Sequence, residues 1–324
     1  MTVRQATHAG SWYSDDAEQL DQELQRWLDD VPDEIPEIVP SGETCSLPIN
    51  GTRAIIAPHA GYSYSGPNAA YAYKCVDTEP IKRVFLLGPS HHAHLRKCAL
   101  SQCTKYATPF GNIQVDTEMI AKLKTEGEWD VMSTQVDEDE HSLEMHLPYI
   151  YKIFEHKIDK IKLVPILVGN LSQADELYYG DMLASCLHPD ENLFIISSDF
   201  CHWGHRFNYT YYKDDGASRR LSARQPPPDG QAIWESIRQL DYKGMEVIAR
   251  ASNRDFKRYM EKTSNTICGC HPIGVLLGAI RALYYDDADA PGPRLRFIKY
   301  DQSNRVYSPS DSSVSYVSGY LQLP

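Results

Sequence analysis

The sequence predicts a single α/β domain: a central, mostly parallel sheet flanked by helices, with antiparallel edge strands towards the C-terminus. Three observations lead there. Four short apolar runs, Arg53 to Pro58, Arg83 to Gly88, Ile161 to Gly169 and Asn192 to Ser198, are continuous rather than alternating, the pattern of strands covered on both faces. Segments with helical spacing fall between them, and strand–helix alternation is what builds a parallel sheet. Near the end of the chain, Leu295 to Tyr300 and Ser313 to Leu321 alternate instead and read as two antiparallel strands, a hairpin on the sheet edge.

Taken in order, Leu20, Leu24, Trp27 and Leu28 recur at helical spacing between acidic residues, predicting a helix over 16–30. Residues 31–52 carry four prolines and few large apolar groups, and read as an exposed surface loop. An Ala/Tyr-rich helix is expected from Pro67 to Cys75, between the first two strands. Further helices are expected over 116–125, 141–156, 173–187, 231–249, 253–262 and 272–285. Residues 214–230, with Arg219, Arg220, Arg224 and Pro226-Pro227-Pro228, read as a second exposed loop. There is no internal repeat and no separating linker, so 1–324 is read as one domain with 31–52 and 214–230 as surface insertions.

Composition narrows the function. With 32 Lys and Arg against 44 Asp and Glu, the net charge is −12. Nucleic acids and anionic membranes need a dense basic face, which this balance argues against. No apolar run approaches the ~20 residues of a membrane-spanning helix, and the first residues lack the apolar segment of a signal peptide. The eight cysteines are irregularly spaced and outline no disulfide framework. They read as reduced thiols of a cytoplasmic or nuclear protein, with Cys75, Cys98, Cys103 and Cys186 in apolar, core-like contexts.

The chemistry gathers after the strands. The first is followed by Pro58-His59-Ala60-Gly61-Tyr62, the second by Gly88-Pro89-Ser90-His91-His92, and the fourth runs into Ser197-Ser198-Asp199-Phe200-Cys201-His202-Trp203-Gly204. Ligands bind at the carboxyl ends of strands in open α/β sheets, so three strands deliver imidazole and carboxylate groups to one edge. Asn265-Thr266-Ile267-Cys268-Gly269-Cys270-His271-Pro272 is a fourth contributor, opening a helix. Phosphate-cradling and dinucleotide-binding glycine loops are absent, as is the Gly-x-Ser-x-Gly elbow. Cys268-x-Cys270 stands alone, whereas structural zinc would want two such pairs. What remains is a mononuclear metal site assembled from separate strand ends. Imidazole suits iron, copper and zinc, and thiolate shifts the preference to softer ions.

Several blocks, in order and spanning nearly the whole chain, resemble the Memo proteins, a branch of the Memo/class III extradiol dioxygenase-like superfamily. They include His8-Ala9-Gly10-Ser11-Trp12-Tyr13, Ala57 to Tyr62, Leu87 to His92, Asp137 to Pro148, Ser197 to Gly204, Asn265 to Gly269 and Asp311 to Tyr316. The resemblance implies a metal at the positions matching His59, His91 and Cys268, with Asp199 and His202 close by. It implies copper- or iron-dependent redox activity with superoxide production, and roles in cell motility and in receptor tyrosine kinase signalling through phosphotyrosine peptides. Extradiol dioxygenases hold iron with two His and one carboxylate; a cysteine in the third place argues against catechol cleavage. On this correspondence His202 is an acid/base or substrate contact over the open position, and Asp199 orients His202 or a bound water. The alternative is a non-catalytic pocket holding a phosphotyrosine peptide, with Arg83, Arg96, Lys97 and Arg206 as candidate phosphate contacts. Glu144 and His146, two residues apart on one expected helix, point to different faces. His8 and Trp12 are read as a lid over the pocket or as packing on the sheet.

Overall fold

The computed structural model describes residues 2–214, 218–222, 224, 230–284 and 292–324. At its centre is a twelve-stranded sheet in which Gly111–Val115, Lys162–Val168, Arg83–Pro89, Asn192–Ser197 and Thr52–Ala57 lie side by side and parallel. The expected strands fall within one or two residues of these bounds. Ile55, Leu86, Leu87, Ile166 and Ile195 are fully buried, so the continuous apolar runs reflect a sheet covered on both faces. Gln173–Leu187 and Cys270–Tyr284 pack against each other closely enough that a Cβ on Gly180 would lie 2.5 Å from the backbone of Gly278. On the other side of the parallel core, Ser313–Gln322 runs antiparallel to Thr52–Ala57 and to the edge strand Arg294–Gln302.

Three expectations need correction. Residues 31–52 are not an exposed loop: Glu34–Ile38 and Ser41–Ser46 form an antiparallel hairpin, and Val31, Ile35, Val39 and Ile49 are buried. The inward-facing alternation is broken by a carboxylate, Glu37, which is itself buried. Arg294 and Arg296 neutralise it at 3.3 and 3.2 Å, and Tyr320 donates a hydrogen bond to it. The strand therefore reads as polar in sequence, although its inner face is covered. A two-stranded ribbon tolerates Pro36 because one side of each strand needs no ladder partner.

The second correction concerns the first helix after Thr52–Ala57. It spans Tyr62–Lys74 and so begins five residues before the proline expected to open it; Pro67 lies inside. The third concerns 141–156. Thr134–Asp139, His141–Glu144 and Leu147–Ile153 are separate short helices, followed by a 3₁₀ turn. Buried Arg4 separates the first two, donating to the carbonyls of Asp137 and Glu140, 3.0 Å each, and pairing with the Glu144 carboxylate. Of the second expected loop, residues 215–217, 223 and 225–229 lie outside the described residues. In its described part, Ser218–Arg220 pairs with Tyr211–Lys213 and is exposed.

Candidate metal centre

His59, His91 and Asp199 each stand two residues beyond a strand of the parallel core: Thr52–Ala57, Arg83–Pro89 and Asn192–Ser197. Because those strands are parallel, all three residues emerge on one edge. Cys268 arrives from the loop before Cys270–Tyr284. Gly269 N–H donates to Ser198 Oγ at 3.1 Å, and a Cβ on Gly269 would sit 2.4 Å from the Ser197 carbonyl oxygen. Only glycine allows that loop to lie against the strand end. One ligand atom each from His59, His91 and Cys268 lies within 4.8 Å of the others.

The hydrogen bonds set the histidine tautomers. Ser197 Oγ donates to the Ser142 carbonyl at 2.7 Å. Its contact with His59 Nδ1, 2.6 Å away, is therefore one in which the ring donates, leaving the His59 Nε2 lone pair free, 3.2 Å from Cys268 Sγ. His91 Nδ1 donates to Glu140 Oε1 at 2.8 Å, so Nε2 is again the open atom. Burial alone would raise the Glu140 carboxyl. Hydrogen bonds from the His91 ring and backbone and from Ser142 N–H outweigh it and hold Glu140 down at about 2. This carboxylate–imidazole pairing is the support that metal-binding histidines ordinarily have.

His202 is anchored in the same way, its Nδ1 facing the carbonyls of Phe200 at 2.9 Å and Thr266 at 3.1 Å. Asp199 does not orient His202 by a hydrogen bond: its Oδ1 accepts the His59 backbone N–H at 2.9 Å. Burial raises the Asp199 carboxyl above its usual value, against the pull of His202 and of backbone donors. Burial, and then the Asp199 carboxyl, push the Cys268 thiol well above its usual range. Burial and the surrounding histidines push His59 well below its own. At neutral pH His59 is thus an uncharged imidazole and Cys268 a protonated thiol.

The donor set fits a soft or borderline transition metal: two imidazole nitrogens, and a sulfur that becomes thiolate on binding. Sequence reasoning missed Ser197, Glu140 and His141. His141 stacks on His91 with ring centroids 4.4 Å apart and on Trp12 at 4.4 Å. Burial, then neighbouring His91, lowers it to about 3. His91, Glu140 and His141 form a second group with ligand atoms within 4.8 Å. The adjacent Glu140-His141 pair, following an acidic run, was the signal available. Glu144, by contrast, faces Arg4, His8 and Tyr13, and serves to fasten the N-terminal segment. His146 is buried against Tyr73.

Among the four basic residues considered for phosphate, Arg83 lies at the opposite, amino end of its strand, paired with Asp116 at 2.7 Å. Lys97 pairs with Glu128 at 2.6 Å. Arg206 lines a cavity of about 240 Å³ beside Ala60, together with Tyr64, Asn304 and Tyr316. No helix among the described residues is long and apolar enough to cross a membrane.

Known proteins match this chain over almost its whole length. The Memo family model, described as Memo-like protein, matches residues 4–320. Protein MEMO1 of Danio rerio is 44% identical over 321 residues, 99% of this chain and 98% of its own. Protein MEMO1 of Xenopus laevis is 44% identical over 318 residues, 98% of this chain and 97% of its own. Protein MEMO1 of Homo sapiens is 42% identical over 323 residues, 100% of this chain and 98% of its own.

Proposed function

The chain belongs to the Memo family, and from that premise we propose that it is a metal-binding redox protein of the cytoplasm or nucleus, acting in signalling, motility or growth control. His59, His91 and Cys268 hold a copper or iron ion. The observation that carries this reading is the double tautomer lock: Ser197 and Glu140 each fix an Nδ1–H, so that both rings offer Nε2 beside Cys268 Sγ. A bound copper or iron ion would supply one-electron chemistry, carrying an electron from an external small-molecule reductant to dioxygen, so that the reductant is oxidised by one electron for each superoxide formed. The chain's own residues do the rest. Cys268 surrenders its proton on binding. His202, held through Nδ1 by two carbonyls, offers Nε2 to take or give a proton. Asp199 holds the His59 backbone in place. A thiol where dioxygenases of this superfamily carry a carboxylate sets the site apart from catechol ring cleavage.

Copper and iron titrations of wild type, His91→Ala, Cys268→Ser and Asp199→Ala, with superoxide production followed alongside, test the proposal. Loss of His91 or Cys268 is expected to abolish binding and turnover, and loss of Asp199 to weaken binding by roughly 10- to 100-fold. If Cys268→Ser binds both metals as tightly as wild type, the thiolate is not a ligand and the redox reading falls.

Arg206 supports a second reading, a phosphotyrosine-peptide adaptor without turnover. Its guanidinium stacks on Phe207 at 4.4 Å and lines the cavity next to His59's neighbour Ala60. On this reading Arg206→Ala lowers phosphopeptide affinity while copper and iron affinity stay unchanged.

A further inference from the structure

A second pocket, sharing no lining residue with the metal cluster, lies between the helices Ile233–Ala249 and Asn253–Thr263. Positions 236, 240, 243 and 247 of the first helix, with 250 capping its end, and 255, 258 or 259, and 262 of the second, fall three or four residues apart, so each set forms one stripe. The two stripes line a cavity of about 480 Å³, with Tyr211 and Lys213 of a short strand completing its wall. Leu240, Val247 and Tyr259 are buried and give it an apolar floor.

The rim is basic. Lys213, Lys243, Arg250, Arg258 and Lys262 line it, against one acid, Asp255, in a chain whose net charge is −12. Lys243 is bridged to Glu246 at 2.7 Å, and Arg258 reaches Asp255 at 3.5 Å. Lys213, Arg250 and Lys262 have no ion-pair partner among the described residues. Three cations without an ion-pair partner around one concavity focus a positive potential into it. The Tyr259 and Thr263 hydroxyls are spent on the carbonyls of Leu240 and Tyr259, which leaves the cations and the apolar floor, with Gln239 beside them, for recognition.

The geometry points to a binding site for a small organic phosphate, its charged group on the Lys/Arg rim and its apolar or aromatic body on the Leu240–Val247–Tyr259 floor. The volume is that of a small-molecule site. Three cations without a protein counter-charge match a phosphate, which brings close to two negative charges on one group, better than a single carboxylate. Arg250 can also take two phosphate oxygens at once.

The probe is 1-naphthyl phosphate, followed by its fluorescence on titration with the full-length protein, and 1-naphthol is the uncharged control. Saturable one-to-one binding is expected for the phosphate, displaced by pyrophosphate and weakened by added salt. The double variant Arg250→Gln, Lys262→Gln removes two exposed charges and is expected to weaken binding at least about tenfold. Arg250→Lys keeps the charge but not the two-oxygen contact, and is expected to weaken binding less than the double variant; copper binding is unchanged in both variants. Equal binding of 1-naphthol and 1-naphthyl phosphate, or undiminished binding by a correctly folded double variant, would overturn the assignment. So would the absence of saturable binding by wild type.

Discussion

Ser197 Oγ stands 2.6 Å from His59 Nδ1 while giving its own hydrogen to the carbonyl of Ser142. The hydroxyl can therefore only accept from the ring, and the ring must carry its proton on Nδ1. The pairing is built by the fold: Ser197 ends one parallel strand, His59 follows the neighbouring one, and Ser142 comes from a short helix seated on their carboxyl ends. A single buried serine thereby decides which face of His59 is available to a metal.

Ser197→Ala removes this lock without removing a ligand. Copper or iron affinity is expected to fall by roughly 10- to 100-fold, with the protein still folded by circular dichroism. Unchanged affinity in a metal titration would show that the tautomer is set elsewhere.

Glu140 links the site to acid stability. Its carboxyl titrates at about 2 in the folded protein against an ordinary 4.5, so the folded state keeps the charge while the unfolded chain takes up a proton. The resulting stabilisation is present above about pH 4.5 and lost as the pH falls towards 2. It is on the order of 3 kcal/mol for a group buried against His91. Glu140→Gln is expected to be less stable than wild type in urea unfolding at pH 6, with the gap narrowing progressively between pH 5 and pH 3.

Metal binding is expected to release a proton. Burial and Asp199 keep the Cys268 thiol protonated at neutral pH, while His59 is already neutral, so the cysteine must deprotonate to ligate. In weakly buffered solution with a pH indicator, copper addition to wild type is expected to liberate this proton, and apparent affinity should rise with pH. Addition to Cys268→Ser should liberate none from this position.

The hairpin over 34–46 belongs to the core, which reverses the expectation that 31–52 is an exposed surface loop. Ile35→Ala, at a side chain 2% exposed, is expected to cost roughly 2–5 kcal/mol in urea unfolding. Deletion of 31–52 strips Val31, Ile35, Val39 and Ile49 from the interior and leaves Arg294 and Arg296 without Glu37. The expected outcome is insoluble or unfolded protein on expression; a soluble, cooperatively melting deletion variant would refute the packing described above.

Local pattern alone determined the parallel core. The runs Arg53 to Pro58, Arg83 to Gly88, Ile161 to Gly169 and Asn192 to Ser198 are apolar on both faces, and burial on both faces is a property each strand carries in its own residues. His59, His91 and Asp199 were legible for the same reason: each follows such a strand, and parallel strands end on one edge. The family blocks brought Cys268 into the set. Tertiary structure decided what depends on partners distant in sequence. Arg4 separates the helices Thr134–Asp139 and His141–Glu144 by capturing carbonyls 133 and 136 residues away. That break turns Glu140 towards His91 and lays His141 against it. Glu37 passes for a surface acid until Arg294 and Arg296 meet it. Ser197 has nothing in its neighbours to mark it as a tautomer lock, because its two partners lie 138 and 55 residues distant. Buried hydrogen bonds and ion pairs satisfy themselves across the fold, so their members look like ordinary polar residues until the chain is packed.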